Sequence, residues 1–201
     1  LPLAYENQKR KNWVRLPIVD LEGKTAGLLG LGAIGREVVI RCRAFGMRVI
    51  AMKRTVEEDP LVERVFLPSG LPELLAESDF VICSLPLTEE THHLLTLKEF
   101  EVMKPSAFFV NVGRGAVVKE EDLIIALRDG KIKGAGLDVF EKEPLDPESP
   151  LWDMPNVLIT AHYAGTDEAG FRKSFAIFLD NLVRLRDGKP LVNVVNKELG
   201  Y

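Results

Sequence analysis

The residues with the clearest chemistry are the glycines of the turn Gly30-Leu31-Gly32-Ala33-Ile34-Gly35, which follows an apolar run and precedes a helical pattern. In a strand–turn–helix unit, the first glycine permits the tight turn and the second lets the backbone approach a pyrophosphate. The third glycine allows the helix to pack closely on the strand. The helix N-terminus then offers unpaired N–H groups to phosphate oxygens. This context predicts a dinucleotide-binding turn.

The elements around this turn alternate between short apolar strands and amphipathic helices. The predicted strands are 25–31, 48–52, 80–84, 107–112, 135–139 and 157–160. The predicted helices are 34–45, 71–76, 97–103, 120–128 and 167–186. Right-handed crossovers between such strands give a parallel sheet covered on both faces. The pattern therefore predicts an α/β fold with a doubly wound parallel sheet of the Rossmann type, whose ligands bind beyond the carboxyl ends of the strands.

The composition limits the kinds of partner. The chain has 201 residues, a net charge of −4 and a pI of about 5.5, which argues against a nucleic-acid-binding surface. No apolar run approaches the ~20 residues of a membrane span, and the start does not resemble a signal peptide, so we expect a cytoplasmic protein without a membrane partner. Cys42 and Cys83 suit reduced core thiols better than a disulfide or a metal site.

Four segments follow predicted strands and would meet at one rim of the sheet. They are 84–91 (SLPLTEET), 111–115 (NVGRG), 138–145 (DVFEKEPL) and 161–166 (AHYAGT). Together with the glycine turn, these motifs resemble the D-isomer-specific 2-hydroxyacid dehydrogenases along nearly the whole chain. Several ordered motifs at consistent spacing are far more specific than any one of them alone.

The resemblance implies a catalytic trio of Arg114, Glu143 and His162, and each residue suits the reduction of a 2-oxo acid. Hydride transfer to the keto carbon leaves oxyanion charge, which His162 would neutralise as the acid. Glu143 would favour the imidazolium form of that histidine. The planar guanidinium of Arg114 would hold the substrate carboxylate through two hydrogen bonds. Each residue taken alone would be an ordinary polar loop residue.

The resemblance also implies the cofactor contacts. It places Asp138 near the nicotinamide, although an aspartate at a strand end can also serve as a structural cap. His92 and His93 match no motif, and we interpret them as surface or hinge-lining residues. The other implied contacts, several of them through the backbone, are Gly30, Gly32, Ala33, Ile34, Gly35, Leu85, Pro86, Thr91, Val112, Gly113, Arg114, His162 and Ala164.

Two cations stand where an NAD-selective protein carries an acidic residue. That acid, about 20 positions after the glycine turn, bonds the adenosine ribose hydroxyls. In this sequence Lys53 and Arg54 occupy the end of the second predicted strand. They would suit a 2′-phosphate, or they could simply be solvated charges. The cofactor is therefore predicted to be NAD(P), with NADP(H) slightly favoured over NAD(H) through contacts from Lys53 and Arg54.

The expected organisation has three parts. Residues 1–20 form an N-terminal helix and linker, 21–187 the NAD(P)-binding domain, and 188–201 a segment that returns to a substrate domain. The family builds that substrate domain largely from residues that precede the nucleotide domain, and most of it is missing here. We therefore expect this piece alone to turn over poorly or not at all. Its uncovered apolar residues favour association, and a homodimer is expected.

The predicted function is hydride transfer between NAD(P)H and a small 2-oxo acid such as glyoxylate or hydroxypyruvate. An alternative from another class stays open at this point. Relatives of this fold include NAD(H)-sensing transcriptional corepressors, which keep the nucleotide site and use their surface to bind transcription factors. The presence of Arg114, Glu143 and His162 favours the enzyme without excluding a corepressor.

Overall fold

The computed structural model describes residues 2–15, 18–55, 59–165 and 168–197. Within these residues the strands form one parallel, seven-stranded sheet in the order β3-β2-β1-β4-β5-β6-β7. The predicted doubly wound α/β sheet is confirmed. The strands are β1 Thr25–Leu29, β2 Arg48–Met52, β3 Arg64–Phe66, β4 Phe80–Cys83, β5 Phe108–Asn111, β6 Gly134–Leu137 and β7 Val157–Ile159.

The helices follow the predicted pattern, with boundaries shifted by a residue at several ends. The predicted helix 120–128 agrees with the observed helix at both ends. Asp167, the predicted start of the last helix, lies outside the described residues. The helices are α1 Pro2–Lys9, α2 Ala33–Ala44, α3 Leu71–Glu77, α4 Leu97–Val102, α5 Glu120–Arg128 and α6 Glu168–Arg186. No helix in the described ranges is both long and apolar enough to span a membrane.

Strand β3 has no counterpart among the predicted strands. It is only three residues long, begins with the exposed Arg64, and pairs with β2 at the edge of the sheet. Such a short segment carries no alternating pattern that could signal a strand. The predicted strand 25–31 also ends early, because Gly30 turns the chain away from the sheet with a φ of 99°.

Two apolar clusters pack on opposite faces of the sheet. One contains buried residues of α3, α4 and α5, including Leu74 and Phe100, and the other contains Val39 and Cys42 of α2. Alternate residues of β1 and β2 supply the two clusters, so these strands are buried on both sides, whereas Leu158 of β7 is 46% exposed. Both cysteines are buried free thiols, as predicted. Burial raises the pKa of Cys83 to about 11, so its thiol is inert near neutral pH.

The order of the sheet reverses between β1 and β4. After β1 the chain moves outward to β2 and β3, and it then returns to place β4 on the other side of β1. The segments that leave these two central strands touch, because the Ser84 hydroxyl donates a hydrogen bond to the Gly30 carbonyl at 3.2 Å. Such a switch point opens a crevice at the carboxyl ends of the strands, where ligands of these folds bind.

Candidate active site

The glycine turn joins β1 to α2 in the form that a pyrophosphate requires. Gly32 caps α2 without any side-chain hydrogen bond. A Cβ added to Gly32 would meet no atom within 4 Å, whereas one added to Gly35 would lie 2.2 Å from the Gly30 carbonyl oxygen. Gly32, Ala33 and Ile34 are exposed and border open space before the first turn of α2. These residues fit the phosphates of a dinucleotide.

His162 and Glu143 form a hydrogen-bonded pair at the rim of the sheet. The distance between His162 Nδ1 and Glu143 Oε2 is 2.7 Å, and the other carboxylate oxygen accepts the Phe140 N–H at 3.0 Å. Burial opposes the charge on Glu143, but these hydrogen bonds outweigh it and lower the pKa of the carboxyl below its ordinary value. The His162 side chain is 51% exposed. The pair can therefore present an oriented imidazole ring to a ligand.

Asp138 binds the turn that carries His162. Its backbone carbonyl accepts the His162 N–H at 2.8 Å, while its carboxylate accepts the N–H groups of Tyr163 at 3.1 Å and Ala164 at 3.0 Å and the hydroxyl of Thr160. Burial opposes ionisation, but these donors lower the pKa of Asp138. The bonds hold His162 in the left-handed region, with a φ of 54°. Asp138 is thus a structural cap, and its contact with a nicotinamide stays a prediction.

Arg114 lies in the turn after β5, and its side chain is exposed. The buried Asn111 shapes this turn, since Oδ1 accepts the Gly113 N–H and Nδ2 donates to the Arg114 carbonyl, both at 3.1 Å. A Cβ added to Gly115 would lie only 1.8 Å from the Phe140 carbonyl carbon. The turn that carries Arg114 therefore packs directly on the segment that leads to Glu143.

Hydrogen bonds of the Thr91 side chain hold a turn in the segment after β4. The Thr91 hydroxyl donates to the Pro86 carbonyl at 2.7 Å and accepts the Thr88 N–H at 2.8 Å. A Cβ added to Gly113 would lie 2.7 Å from the Leu85 carbonyl oxygen, so this segment lies against the turn after β5. The Thr91 hydroxyl thus has a structural role here. Cofactor contacts from Leu85, Pro86 and Thr91 stay predictions.

A second histidine–carboxylate pair lies beside the first. His93 Nε2 is 2.7 Å from Glu141 Oε1, and the His92 ring stacks on His93 with centroids 3.9 Å apart. Glu141 and Glu120 each accept the other's backbone N–H at 3.1 Å. Burial opposes the charge on Glu141, but the hydrogen bonds from Glu120 and His93 lower its pKa. This pair links the segment after β4 to the loop of Glu143.

Lys53 and Arg54 follow β2 directly. The Lys53 N–H donates to the Phe66 carbonyl at 3.0 Å, and the Gly30 N–H donates to the Met52 carbonyl at 3.2 Å. The end of β2 therefore adjoins the glycine turn, at the position where a ribose-binding acid stands in NAD-selective proteins. No group of three or more His, Cys, Asp or Glu residues within the described ranges is arranged to hold a metal ion.

Comparison with known proteins decides the family. The profile of the NAD binding domain of D-isomer specific 2-hydroxyacid dehydrogenases matches residues 1–164. This chain belongs to the D-isomer specific 2-hydroxyacid dehydrogenase family. The family resemblance predicted from the sequence is thereby confirmed, and the matched residues include the glycine turn, Arg114, Glu143 and His162.

Relatives within the dehydrogenase family include named reductases. The chain is 42% identical over 198 residues to a glyoxylate reductase of Thermococcus gammatolerans, covering 95% of this chain and 58% of that protein. It is 42% identical over 181 residues to a glyoxylate/hydroxypyruvate reductase B of Pectobacterium carotovorum, covering 90% of this chain and 57% of that protein. The chain thus spans little more than half the length of these curated relatives.

A solved dehydrogenase structure supports the same assignment. The crystal structure of an NADPH-dependent glyoxylate/hydroxypyruvate reductase from Sinorhizobium meliloti, in complex with NADP and sulfate, matches with a TM-score of 0.90 at 33% identity. The match covers 100% of this chain and 64% of that one. A probable 2-hydroxyacid dehydrogenase from Rhizobium etli, in complex with NADP, matches with a TM-score of 0.89, also at 33% identity.

The sequence pattern did not predict the residues that hold the side chains of this site in place. Asn111 was visible at a strand end, where a buried amide can fix a turn, but it was given no role. Glu141 stands two residues before Glu143, and its partner His93 is 48 residues away, so no local motif signals the pair. Phe140 contributes through its backbone N–H, which no side-chain pattern reveals.

Proposed function

We propose that the chain is the nucleotide-binding part of a reductase that converts a small 2-oxo acid, such as glyoxylate or hydroxypyruvate, into the 2-hydroxy acid. The observation that supports this most directly is the 2.7 Å pair of His162 with Glu143. When bound, NAD(P)H supplies the hydride that the keto carbon accepts. His162 donates the proton that neutralises the oxyanion, Glu143 stabilises the imidazolium, and Arg114 holds the substrate carboxylate.

The proposed organisation assigns residues 1–20 to an N-terminal helix and linker, 21–187 to the NAD(P)-binding domain and 188–201 to a segment that returns to the substrate domain. Part of the last segment lies along α6, because the Asn181 side chain exchanges hydrogen bonds with the Val192 backbone, both at 2.9 Å. The rest of the substrate domain would come from the half of the relatives that this chain does not cover.

The test is Arg114→Lys in a protein extended to the full length of the relatives. Lysine keeps the charge but loses the two-pronged contact with a carboxylate. We expect kcat/KM for glyoxylate and hydroxypyruvate to fall by at least about tenfold, with the Kd for the cofactor nearly unchanged. The matched control is Arg128→Lys, since Arg128 is exposed and pairs with Asp129 at the surface. Unchanged catalytic efficiency in Arg114→Lys would show that this arginine does not hold the substrate.

The proposed cofactor preference is NADP(H) over NAD(H). Lys53 and Arg54 support it because they stand beside the glycine turn where an acidic residue would otherwise bond the ribose. Arg54→Ala should therefore weaken NADP⁺ binding much more than NAD⁺ binding, since a ribose hydroxyl cannot replace a charge-assisted contact with a phosphate. Equal losses for both nucleotides, or tighter binding of NAD⁺ by the unmodified chain, would contradict the preference.

A homodimer in the cytoplasm completes the proposal. Exposed apolar side chains near the N-terminus support association, with Trp13 96% and Ile18 92% exposed. Light scattering of the full-length protein would give the oligomeric state. The corepressor alternative gains no support, because the named relatives above are reductases or dehydrogenases.

A further inference from the structure

A buried carboxylate contacts an arginine in the first turn of α2. Arg36 Nη1 lies 2.8 Å from Asp59 Oδ2, and the Asp59 side chain is only 3% exposed. The other oxygen, Oδ1, accepts the Leu61 N–H at 3.1 Å. Oδ2 accepts no well-aligned hydrogen bond from the described residues. An ionised carboxylate is costly to bury without an opposite charge, so Arg36 is the charge that stabilises Asp59 in the folded state.

The Asp59 carboxylate also stabilises the positive charge of Arg36. Arg36 follows Gly35, and its N–H donates to the Gly32 carbonyl at 3.0 Å, which places it in the first turn of α2. The N-terminal end of a helix is electrostatically positive and disfavours a cation there. Asp59 offsets that repulsion. The Arg36 side chain remains 53% exposed, so its guanidinium can meet a further anion while it contacts Asp59.

The pair lies between the glycine turn and the chain that follows β2. Beyond Asp59, Val62 packs with Val39 of α2 and Val49 of β2 in one apolar cluster. The Glu63 N–H donates to the Val49 carbonyl at 2.8 Å, which brings the chain back to the sheet. The segment that leaves β2 with Lys53 and Arg54 therefore returns against α2 at Asp59. Arg36 thus borders the region that would receive the adenosine ribose.

We propose that Arg36 binds the 2′-phosphate of NADP(H), together with Lys53 and Arg54, and that Asp59 positions its guanidinium for this contact. The inference rests on the proposed preference for NADP(H). A guanidinium has five N–H donors in a planar fork, so it can bind a phosphate while one edge faces a carboxylate. If the pair only stabilised the fold, its removal would affect NADP(H) and NAD(H) alike.

The experiment is Arg36→Ala in this chain, with binding measured by calorimetry. The probes are NADP⁺ and NAD⁺, with 2′,5′-ADP and ADP as fragments that differ in the 2′-phosphate. We expect the Kd of NADP⁺ and of 2′,5′-ADP to rise by about tenfold or more, as for loss of one charged hydrogen-bonding partner, while NAD⁺ and ADP change by less than about twofold. The matched control is Arg41→Ala, on the same helix, where the arginine pairs with Glu37 at the surface and should affect neither nucleotide.

A second variant tests the proposal if Arg36→Ala, which leaves the buried Asp59 carboxylate without its partner, does not fold. Arg36→Gln combined with Asp59→Asn removes both charges while an amide pair can still form a hydrogen bond, and thermal unfolding reports whether the fold persists. If the ratio of the NADP⁺ and NAD⁺ Kd values in the folded variant equalled that of the unmodified chain, the proposed role of Arg36 would be overturned. The proposed preference for NADP(H) would not be affected by that result. If the unmodified chain bound neither nucleotide, or bound NAD⁺ more tightly, the proposed cofactor preference and this inference would both be overturned.

Discussion

At the residue level, the proposed proton transfer depends on one hydrogen bond. The Glu143 carboxylate bonds His162 Nδ1 at 2.7 Å, which orients the ring and leaves Nε2 as the nitrogen that can act on a substrate. The Phe140 N–H fixes the other carboxylate oxygen, so the glutamate cannot turn away without losing that bond. This arrangement explains why a half-exposed histidine can have a defined orientation.

Glu143→Gln should move the alkaline limit of reduction to lower pH in the full-length protein. The pKa of Glu143 is lowered, so the carboxylate is negative throughout the assay range and favours the imidazolium that donates the proton. Glutamine keeps the shape of the Glu143 side chain without its charge. The proton donor for reduction should therefore be lost at lower pH than in the unmodified protein. The measurement is the pH profile of kcat/KM for glyoxylate.

The control for this prediction is Glu141→Gln. Glu141 pairs with His93 at the same 2.7 Å distance, but His93 is not the proposed acid. The alkaline limb should therefore stay in place in this variant, whatever happens to the rate. An alkaline limb that does not move in Glu143→Gln would show that Glu143 does not tune the acid.

At the level of elements, the site depends on how closely three turns pack at the carboxyl ends of β5, β6 and β7. The turn after β5 passes beside the Phe140 backbone at Gly115, where no side chain fits. The turn after β7 is held by Asp138, the first residue after β6. Because protein interiors are close-packed, a displacement of one of these turns would strain its neighbours.

Gly115→Ala should strain the packing of the Arg114 turn against the Glu143 loop. The new Cβ would lie 1.8 Å from backbone atoms of Phe140, which cannot rotate away as a flexible side chain could. We expect the free energy of unfolding to fall by about 1–3 kcal/mol or more, measured by urea denaturation. Gly136→Ala is the control, because its Cβ would contact Val110 at an ordinary 3.8 Å. Equal stability of the two variants would contradict this packing argument.

Asp138→Asn should lower stability at pH 7, because the asparagine amide would place its own N–H groups against the N–H groups of Tyr163 and Ala164. The expected loss is about 1–3 kcal/mol in the free energy of unfolding. The pKa of Asp138 is lowered from 3.8, so its stabilising effect exists above that value and is lost as the pH falls through the lower folded-state value. The difference from the unmodified chain should therefore narrow in acid. Urea denaturation at several pH values tests this, with the exposed Asp129→Asn as control, and a difference independent of pH would argue against it.

At the level of the whole molecule, nucleotide binding and substrate binding are expected to separate. The glycine turn, the switch point between β1 and β4 and the pair of His162 with Glu143 all lie within the described residues. The relatives are nearly twice as long as the part that this chain matches. We therefore expect that enclosure of a 2-oxo acid in the proposed reductase depends on surfaces beyond this chain.

This chain alone should bind NADP⁺ but reduce glyoxylate at least about a hundredfold more slowly than a protein extended to the length of its relatives, because an unenclosed substrate is poorly positioned. The measurement pairs calorimetry of NADP⁺ binding with the loss of nicotinamide absorbance during turnover. Arg128→Lys serves as a neutral control in both lengths, since it changes only a surface pair. Equal turnover by the two lengths would show that the nucleotide-binding part is sufficient for catalysis.

Features whose causes are local, or repeat along the chain, could be predicted from the amino-acid sequence. Apolar runs located six of the seven strands, with β2 at its exact bounds, and the spacing of Gly30, Gly32 and Gly35 located the turn between β1 and α2. The family motifs singled out Arg114, Glu143 and His162. These signals are readable because strand burial, helix periodicity and tight turns depend on neighbouring residues.

Contacts between distant segments became visible only in the folded chain. The bond between Glu143 and His162 joins residues 19 apart, and that between His93 and Glu141 joins residues 48 apart. The pair of Arg36 with the buried Asp59 likewise forms only when the chain beyond β2 returns against α2. No local pattern encodes such distances, because parallel crossovers bring strand ends together regardless of the sequence between them. The edge strand β3 was missed for a related reason, since its pairing with β2, and no apolar pattern of its own, makes it a strand.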